Sequence, residues 1–303
     1  WHKTVIIDNC IPFVPSEVLI GERKYSCLFI PAKAVDNPFL MEADPEYIQR
    51  LDALPEKERK RLRDGDWDVF EGQFFSEFNR DIHVIEPFEI PHWWKKFRAM
   101  DYGFDMLAVP WFAIDPRGNL IIYKENYKSG LTLKLAAEEV LASTLPGEEI
   151  DYTVASPDLW NRDRDRGIPE AEIMRNAGLK GLVQADNRRV PGWRNVREYL
   201  TIYDSFNNSG VPIKTSKLKI FKTCANVIRT LPALIHDERN PEDAASEPHE
   251  ITHMPEAIRY GCMTWKPWSV LGPDIHDRYM KNSQQFTQGY QQYDPLGLYK
   301  NKS

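Results

Sequence analysis

Residues 97–103 read Phe-Arg-Ala-Met-Asp-Tyr-Gly. The run is a short, largely apolar strand that reaches a carboxylate at Asp101, with Gly103 close behind to let the chain turn away. Two further β-rich runs follow at once. Ala108 to Asp115 is apolar and aromatic, and Asn119 to Tyr127 carries Leu120, Ile121, Ile122, Tyr123 and Tyr127. Between them Asp115-Pro116-Arg117-Gly118 holds the residues of a tight turn: aspartate first, proline presetting φ, glycine late. The spacing predicts an antiparallel three-stranded meander with Asp101 at the end of its first strand. A strand-end aspartate can bind a metal, and it can equally cap a helix or close a turn.

The chain downstream supplies more acids. Thr132 is expected to cap a helix whose apolar residues Leu133, Ala136, Ala137, Val140 and Leu141 fall on one face. A fourth strand is expected over 151–155, ending in Ser156-Pro157-Asp158. Two carboxylates at the ends of neighbouring strands are what a nuclease using two bridging cations requires. Asn161 to Gly167 alternates arginine and aspartate, as an exposed, self-neutralising loop would. A helix is expected over 169–178, a short strand at Leu182-Val183, another at 218–221, and a helix over 223–236. In the stretch Thr252-His253-Met254-Pro255-Glu256-Ala257-Ile258-Arg259-Tyr260-Gly261, Thr252 is expected as the N-cap and Pro255 in the first turn. Met254, Ala257, Ile258, Gly261 and Cys262 then form the buried stripe, and His253, Glu256 and Tyr260 share a neighbouring face.

At 303 residues the chain has room for one large domain or two modest ones. With 42% hydrophobic and 28% charged residues it has a soluble globular composition, and no window is apolar enough to span a membrane. It opens at Trp1 without a signal-peptide pattern, as a fragment or processed product would. Cys10, Cys27, Cys224 and Cys262 show no paired spacing and read as reduced thiols. A net charge of -6 weighs against nucleic-acid binding by the molecule as a whole, yet the charges segregate. Residues 213–229 carry Lys214, Lys217, Lys219, Lys222 and Arg229 and no acid, whereas 237–256 hold seven acids against the single base Arg239. Asn187 to Arg197 adds Arg188, Arg189, Arg194 and Arg197 around Trp193, a pattern suited to a phosphate backbone. No glycine-rich phosphate loop followed by Lys-Ser/Thr occurs, so ATP hydrolysis is not expected of this chain.

Several motifs together carry a resemblance. Phe29-Ile30-Pro31-Ala32, Asp36-Asn37-Pro38, Tyr47-Ile48, Leu54-Pro55 and Gly65-Asp66-Trp67-Asp68 are similar to the junction region of phage terminase large subunits, the motors that package viral DNA. Residues 75–88 resemble the approach to the terminase nuclease, and the resemblance runs with gaps from about Phe29 to Met263. It implies an α/β RNase H-like fold, a mixed central β-sheet flanked by helices. Residues 1–68 would be a remnant of the ATPase domain with its linker helix, 69–95 a linker, 96–268 the nuclease domain and 269–303 a flexible tail.

The implied activity is metal-dependent endonucleolytic cutting of concatemeric double-stranded DNA by two-metal phosphodiester hydrolysis. The resemblance aligns Asp101 and Asp158 with metal ligands. Glu256 takes the place of an aspartate in a His-x-x-Asp-Ala-x-Arg-Tyr motif, and His253 is a further ligand. Asp101, Asp158 and Glu256 would be catalytic, with Mg²⁺ or Mn²⁺ as cofactor. Arg188, Arg189, Arg194, Lys217 and Lys219 would bind DNA. The terminase small subunit and the portal protein would be partners, in the cytoplasm of a bacterial host carrying a phage or prophage. A non-catalytic DNA-guiding or docking module, or a transposase or resolvase on the same fold, are the rival readings.

Overall fold

The computed structural model describes residues 15–20, 23–54, 56–65, 72–103, 105–161, 167–207 and 210–265. Cys10, the arginine–aspartate run 162–166 and the tail 269–303 lie outside the described residues. The chain divides into two compact units, Trp1–Ser76 and Glu77–Ser303.

In the first unit β1 (Ser16–Ile20) and β2 (Arg23–Cys27) form an antiparallel pair. Three short helices follow: α1 (Pro38–Ala43), α2 (Tyr47–Asp52) and α3 (Glu56–Arg63). Asn37 caps α1 by accepting from the Leu40 amide at 3.1 Å, with proline at the first helical position. Tyr47–Asp52 and Glu56–Arg63 are separate helices because Leu54 precedes a proline in the sequence, which disfavours helical geometry at Leu54.

The second unit is built on a seven-stranded sheet. Its members are β3 (Val84–Ile85), which follows the short helix α4 (Arg80–His83), then β4 (Lys95–Tyr102), β5 (Leu107–Ile114), β6 (Leu120–Lys128), β7 (Thr153–Ala155), β8 (Leu182–Gln184) and β11 (Leu218–Phe221). Their order is β3-β11-β6-β5-β4-β7-β8. The meander read from the sequence is present: β4 pairs antiparallel with β5, and β5 with β6. Gly118, at φ +83°, closes the turn between β5 and β6, and buried Asp115 accepts from the amides of Arg117 and Asn119 at 2.8 Å. β7 runs parallel to β4, and β8 parallel to β7. Three antiparallel strands continued by two parallel ones on the side of the first make this an RNase H-like α/β fold. β11 adds in parallel beyond β6, and β3 beyond β11, so part of the expected linker 69–95 belongs to the sheet.

Helices cover both faces, which is why β5 is buried along its whole length. On one face α5 (Leu133–Ala142) and α6 (Glu170–Asn176) pack Leu133, Ala136, Ala137, Val140, Ala171 and Met174 against Met100, Val109 and Trp111. Thr132 is the N-cap residue of α5, but its side chain makes no capping bond. The other face carries α9 (His249–Thr264), which packs against β4 and β5 and against α7 (Arg189–Leu200) and α8 (Ala225–Ala233). Its approach is close at Gly261, where an added Cβ would lie 2.6 Å from the Phe112 ring. A small hairpin of β9 (Tyr203–Phe206) and β10 (Pro212–Thr215) lies outside the main sheet.

α9 begins one turn earlier than Thr252. Its N-cap is Pro248, and Thr252 and Pro255 are both inside the helix. Among the described residues Cys27, Cys224 and Cys262 are free thiols, and no helix is long and apolar enough to cross a membrane.

Candidate active site

Side chains alternate across a strand. In β4, Met100 points to the α5 face, so Asp101 points the other way, toward α9. Asp101 is 9% exposed, and its carboxylate accepts from Nδ1 of His253 at 2.7 Å. Burial alone would lower the His253 pKa. The Asp101 bond and charge, with those of Asp105, outweigh it and hold the imidazole above its ordinary value of 6.5.

β4 and β5 are joined by a tight loop in which the Gly103 amide bonds the Met106 carbonyl at 2.9 Å. That loop returns Asp105 toward α9. Oδ1 of Asp105 is 3.3 Å from Nε2 of His253, and Oδ2 is 3.2 Å from Nδ1 of His249, one helical turn before His253. Gly103 is required here by space: a Cβ would lie 2.7 Å from Cε1 of His253 and 2.9 Å from Oδ1 of Asp105. The first turn of α9 is tied down by the Tyr127 hydroxyl, which donates to the Glu250 carbonyl at 2.8 Å. Among the described residues Asp105, His249 and His253 form a group whose metal-ligating atoms lie within 4.8 Å of one another.

Asp158 sits in a one-turn 3₁₀ segment, Pro157–Trp160, just past β7, and is exposed. The Ser156 amide bonds the Met100 carbonyl at 3.1 Å, so the ends of β7 and β4 are joined immediately before the two aspartates. Glu256 has a different environment from the one expected. It is ion-paired to Arg189, and to Arg259 at 2.6 Å. Burial lifts its carboxyl above the usual range, against the pull of Arg259 and Arg189. Arg259 is fully buried, with its guanidinium near the rings of Trp193 and Tyr260.

The residues expected to bind DNA divide. Arg188 and Arg194 are exposed and carry carboxylate partners, Asp186 at 2.6 Å and Glu242 at 2.8 Å. Lys217 pairs with Glu198 at 3.0 Å. Arg189 is drawn inward, donating to Asp243 at 2.9 Å as well as to Glu256. Lys219 requires a correction. It is 7% exposed, its ammonium donates to the Ile82 carbonyl at 2.6 Å, and burial pushes its pKa down to about 8. A side chain enclosed by β11 and α4 is not offered to a phosphate.

The solved structures it resembles include phage large terminases and their nuclease domains. The large terminase of a thermophilic bacteriophage matches at 19% identity with a TM-score of 0.49, over 78% of this chain and 55% of that one. This chain therefore spans about half the length of that terminase. The P22 large terminase nuclease domain matches at 18% identity and TM-score 0.49, over 64% of this chain and 92% of that domain. The nuclease domain of the large terminase g2p from bacteriophage SPP1, with bound Mn, matches at 16% identity and TM-score 0.40, over 61% and 95%. No protein-family model and no curated protein sequence matches the chain.

Asp105 and His249 were not legible as site residues. His249 lies four positions before His253, a same-face spacing on a helix. Placing the cap at Thr252 left His249 outside that helix. Asp105 follows Asp101 by four residues across a turn, where no period applies.

Proposed function

We propose that the chain is the nuclease-bearing part of a phage terminase large subunit, a metal-dependent endonuclease acting on double-stranded DNA. The observation that carries the reading is the Asp101–His253 pair at the end of the first strand of an RNase H-like sheet, with Asp158 just past the end of the adjacent parallel strand. The donor chemistry suits hard divalent cations at Asp101 and Asp158, and Mg²⁺ or Mn²⁺ held there would supply the Lewis acidity that phosphodiester hydrolysis needs. The fold's own contribution is to hold the acids still. His253 fixes one orientation of Asp101, and the Ser156–Met100 bond keeps the ends of β7 and β4 in register. Carboxylates at the two strand ends would repel a phosphate until a cation is present, so catalysis would be tied to metal loading. Arg188, Arg194 and Lys217 on the outside can exchange their carboxylate partners for backbone phosphates. The reading extends to cutting of concatemers in the host cytoplasm beside a small subunit and a portal.

One observation favours a second reading, a DNA-guiding module without catalysis. Glu256, the expected third ligand, is occupied by two arginines. Incubation of the chain with plasmid DNA and Mg²⁺ or Mn²⁺, beside Asp101→Asn, separates the two. Nicking and linearisation that fall at least about a hundredfold in Asp101→Asn support the nuclease. Equal cleavage by both proteins, or none by either, sinks it.

A further inference from the structure

We infer that Asp105, His249 and His253 form a nitrogen-rich site for a borderline transition cation, in the Mn²⁺ to Zn²⁺ class. Asp101 acts on that site through His253 as a positioning residue.

The argument begins at the two nitrogens of His253. Nδ1 is committed to Asp101 at 2.7 Å, an arrangement in which Nδ1–H donates to the carboxylate. Nε2 is then the nitrogen left to face the rest of the site. It is buried and, among the described residues, makes no hydrogen bond. Asp105 Oδ1 is 3.3 Å away, within ion-pair reach but outside hydrogen-bond alignment. In the neutral ring, with Nδ1–H given to Asp101, the Nε2 lone pair faces a carboxylate oxygen, a repulsive contact that either a proton or a metal cation between them removes. A buried ring nitrogen with no aligned hydrogen bond points to a group that can sit between it and Asp105.

The second histidine completes the set. His249 is one turn before His253 on α9, and its Nδ1 is 3.2 Å from the other Asp105 oxygen. Its Nε2 is held by Glu247 at 2.9 Å, so the ring that offers Nδ1 to the site is steered by a carboxylate, as His253 is by Asp101. Metal-binding histidines commonly have the other ring nitrogen bonded to a carboxylate in this way, which fixes the tautomer and makes the ligand more basic. Two such histidines and one carboxylate form a donor set that borderline cations accept far better than Mg²⁺. His249 and Asp105 are half exposed, at 53% and 50% of their side chains, which leaves an open side for water or a phosphate oxygen. Gly103 keeps the space between His253 and Asp105 clear.

This site is distinct from cation binding by Asp101 and Asp158, and it does not require that the chain cut DNA. The test is therefore binding. Zn²⁺ is titrated calorimetrically into the full chain and into His249→Ala and Asp105→Asn, both at half-exposed positions that leave the core intact. ¹⁵N spectra of histidine-labelled protein are recorded alongside. Zn²⁺ should bind at least about tenfold more tightly to the wild type than to either variant. It should shift the resonances of His253 Nε2 and His249 Nδ1 while His253 Nδ1 keeps its proton. Mg²⁺ at the same concentration should move neither ring. Absence of Zn²⁺ binding overturns the inference, as does binding that moves neither histidine or survives both substitutions unchanged. Zn²⁺ binding as described, without plasmid cleavage in any metal, leaves this site standing and removes the nuclease reading alone.

Discussion

At the scale of single residues, the ammonium of Lys219 shows what burial does to a charge. The side chain is 7% exposed, and its pKa falls to about 8 from the usual 10.5 because desolvation penalises the charged form. Between these two values the unfolded chain binds the proton and the folded chain does not, so stability rises as pH goes from about 8 to 10.5. Below about pH 8 both states are protonated and this gain is lost. The expected outcome is a wild-type protein that gains up to about 3 kcal/mol over that window relative to Lys219→Met. Urea midpoints at about pH 7.5 and about pH 10 check it, and parallel pH profiles for the two proteins would refute it. Lys219 also marks the limit of reading charge from sequence. Its basic neighbours made a plausible phosphate-binding run, but β11 alternates faces and lies inside the sheet, so a lysine there is enclosed by its own fold. Asp101 was legible for the opposite reason: a carboxylate ending an apolar strand has to face something.

At the scale of elements, α9 decides what the site contains. Its buried stripe was readable from the helical period, whereas its start was not. Thr252 is a good capping residue and Pro255 fits a first turn, but the helix begins at His249 and accommodates both inside. The same helix presents Glu256 to Arg189 of α7 and to its own Arg259. Arg259 is fully buried, so Glu256→Gln leaves a guanidinium without its counter-charge and should cost about 3 kcal/mol in urea unfolding. Glu256→Asp, one methylene shorter, should recover part of that loss by keeping Arg259 while withdrawing from Arg189. If Glu256→Gln instead leaves stability unchanged and abolishes Mn²⁺ binding, the residue is a metal ligand and the arginine clasp is incidental. The Arg259 half of the clasp follows the i,i+3 helical spacing, but no period could have revealed the other half, because Arg189 is 67 positions from Glu256.

At the scale of the molecule, the strand order was legible in outline. The meander came from three apolar runs and one turn, whereas the mixed sheet was expected only from the terminase resemblance. The β9–β10 hairpin went unseen because Tyr203–Phe206 is short and largely polar, and β3 because it has two residues. Among the described residues, the basic runs keep side chains on the outside at Arg188, Arg194, Lys214, Lys217 and Lys222. DNA binding should therefore be tolerant of sequence and weaken steeply with salt, through release of condensed counterions. Arg188→Ala with Arg194→Ala should flatten the slope of log K against log salt by roughly one to two units. Fluorescence anisotropy on a labelled duplex between about 50 and about 200 mM salt measures it. An unchanged slope would place the DNA on another face.

Gly261 meets the ring of Phe112 at the far end of α9 from His249, and this contact works as a fulcrum. His253 is eight residues away along the same rigid rod, a lever arm of roughly 12 Å. Over such an arm a tilt of about 5° becomes a swing of about 1 Å at the imidazole, enough to part it from Asp101. A methyl group at Gly261 must displace the rod or the ring, since a Cβ at 2.6 Å from the ring cannot stay where it is built, and displacement of the rod carries His253 with it. Gly261→Ala should accordingly disturb the His253 ¹⁵N resonances more than those of Lys124 or His83. The aromatic floor of the sheet thereby sets the aim of the histidine at the other end.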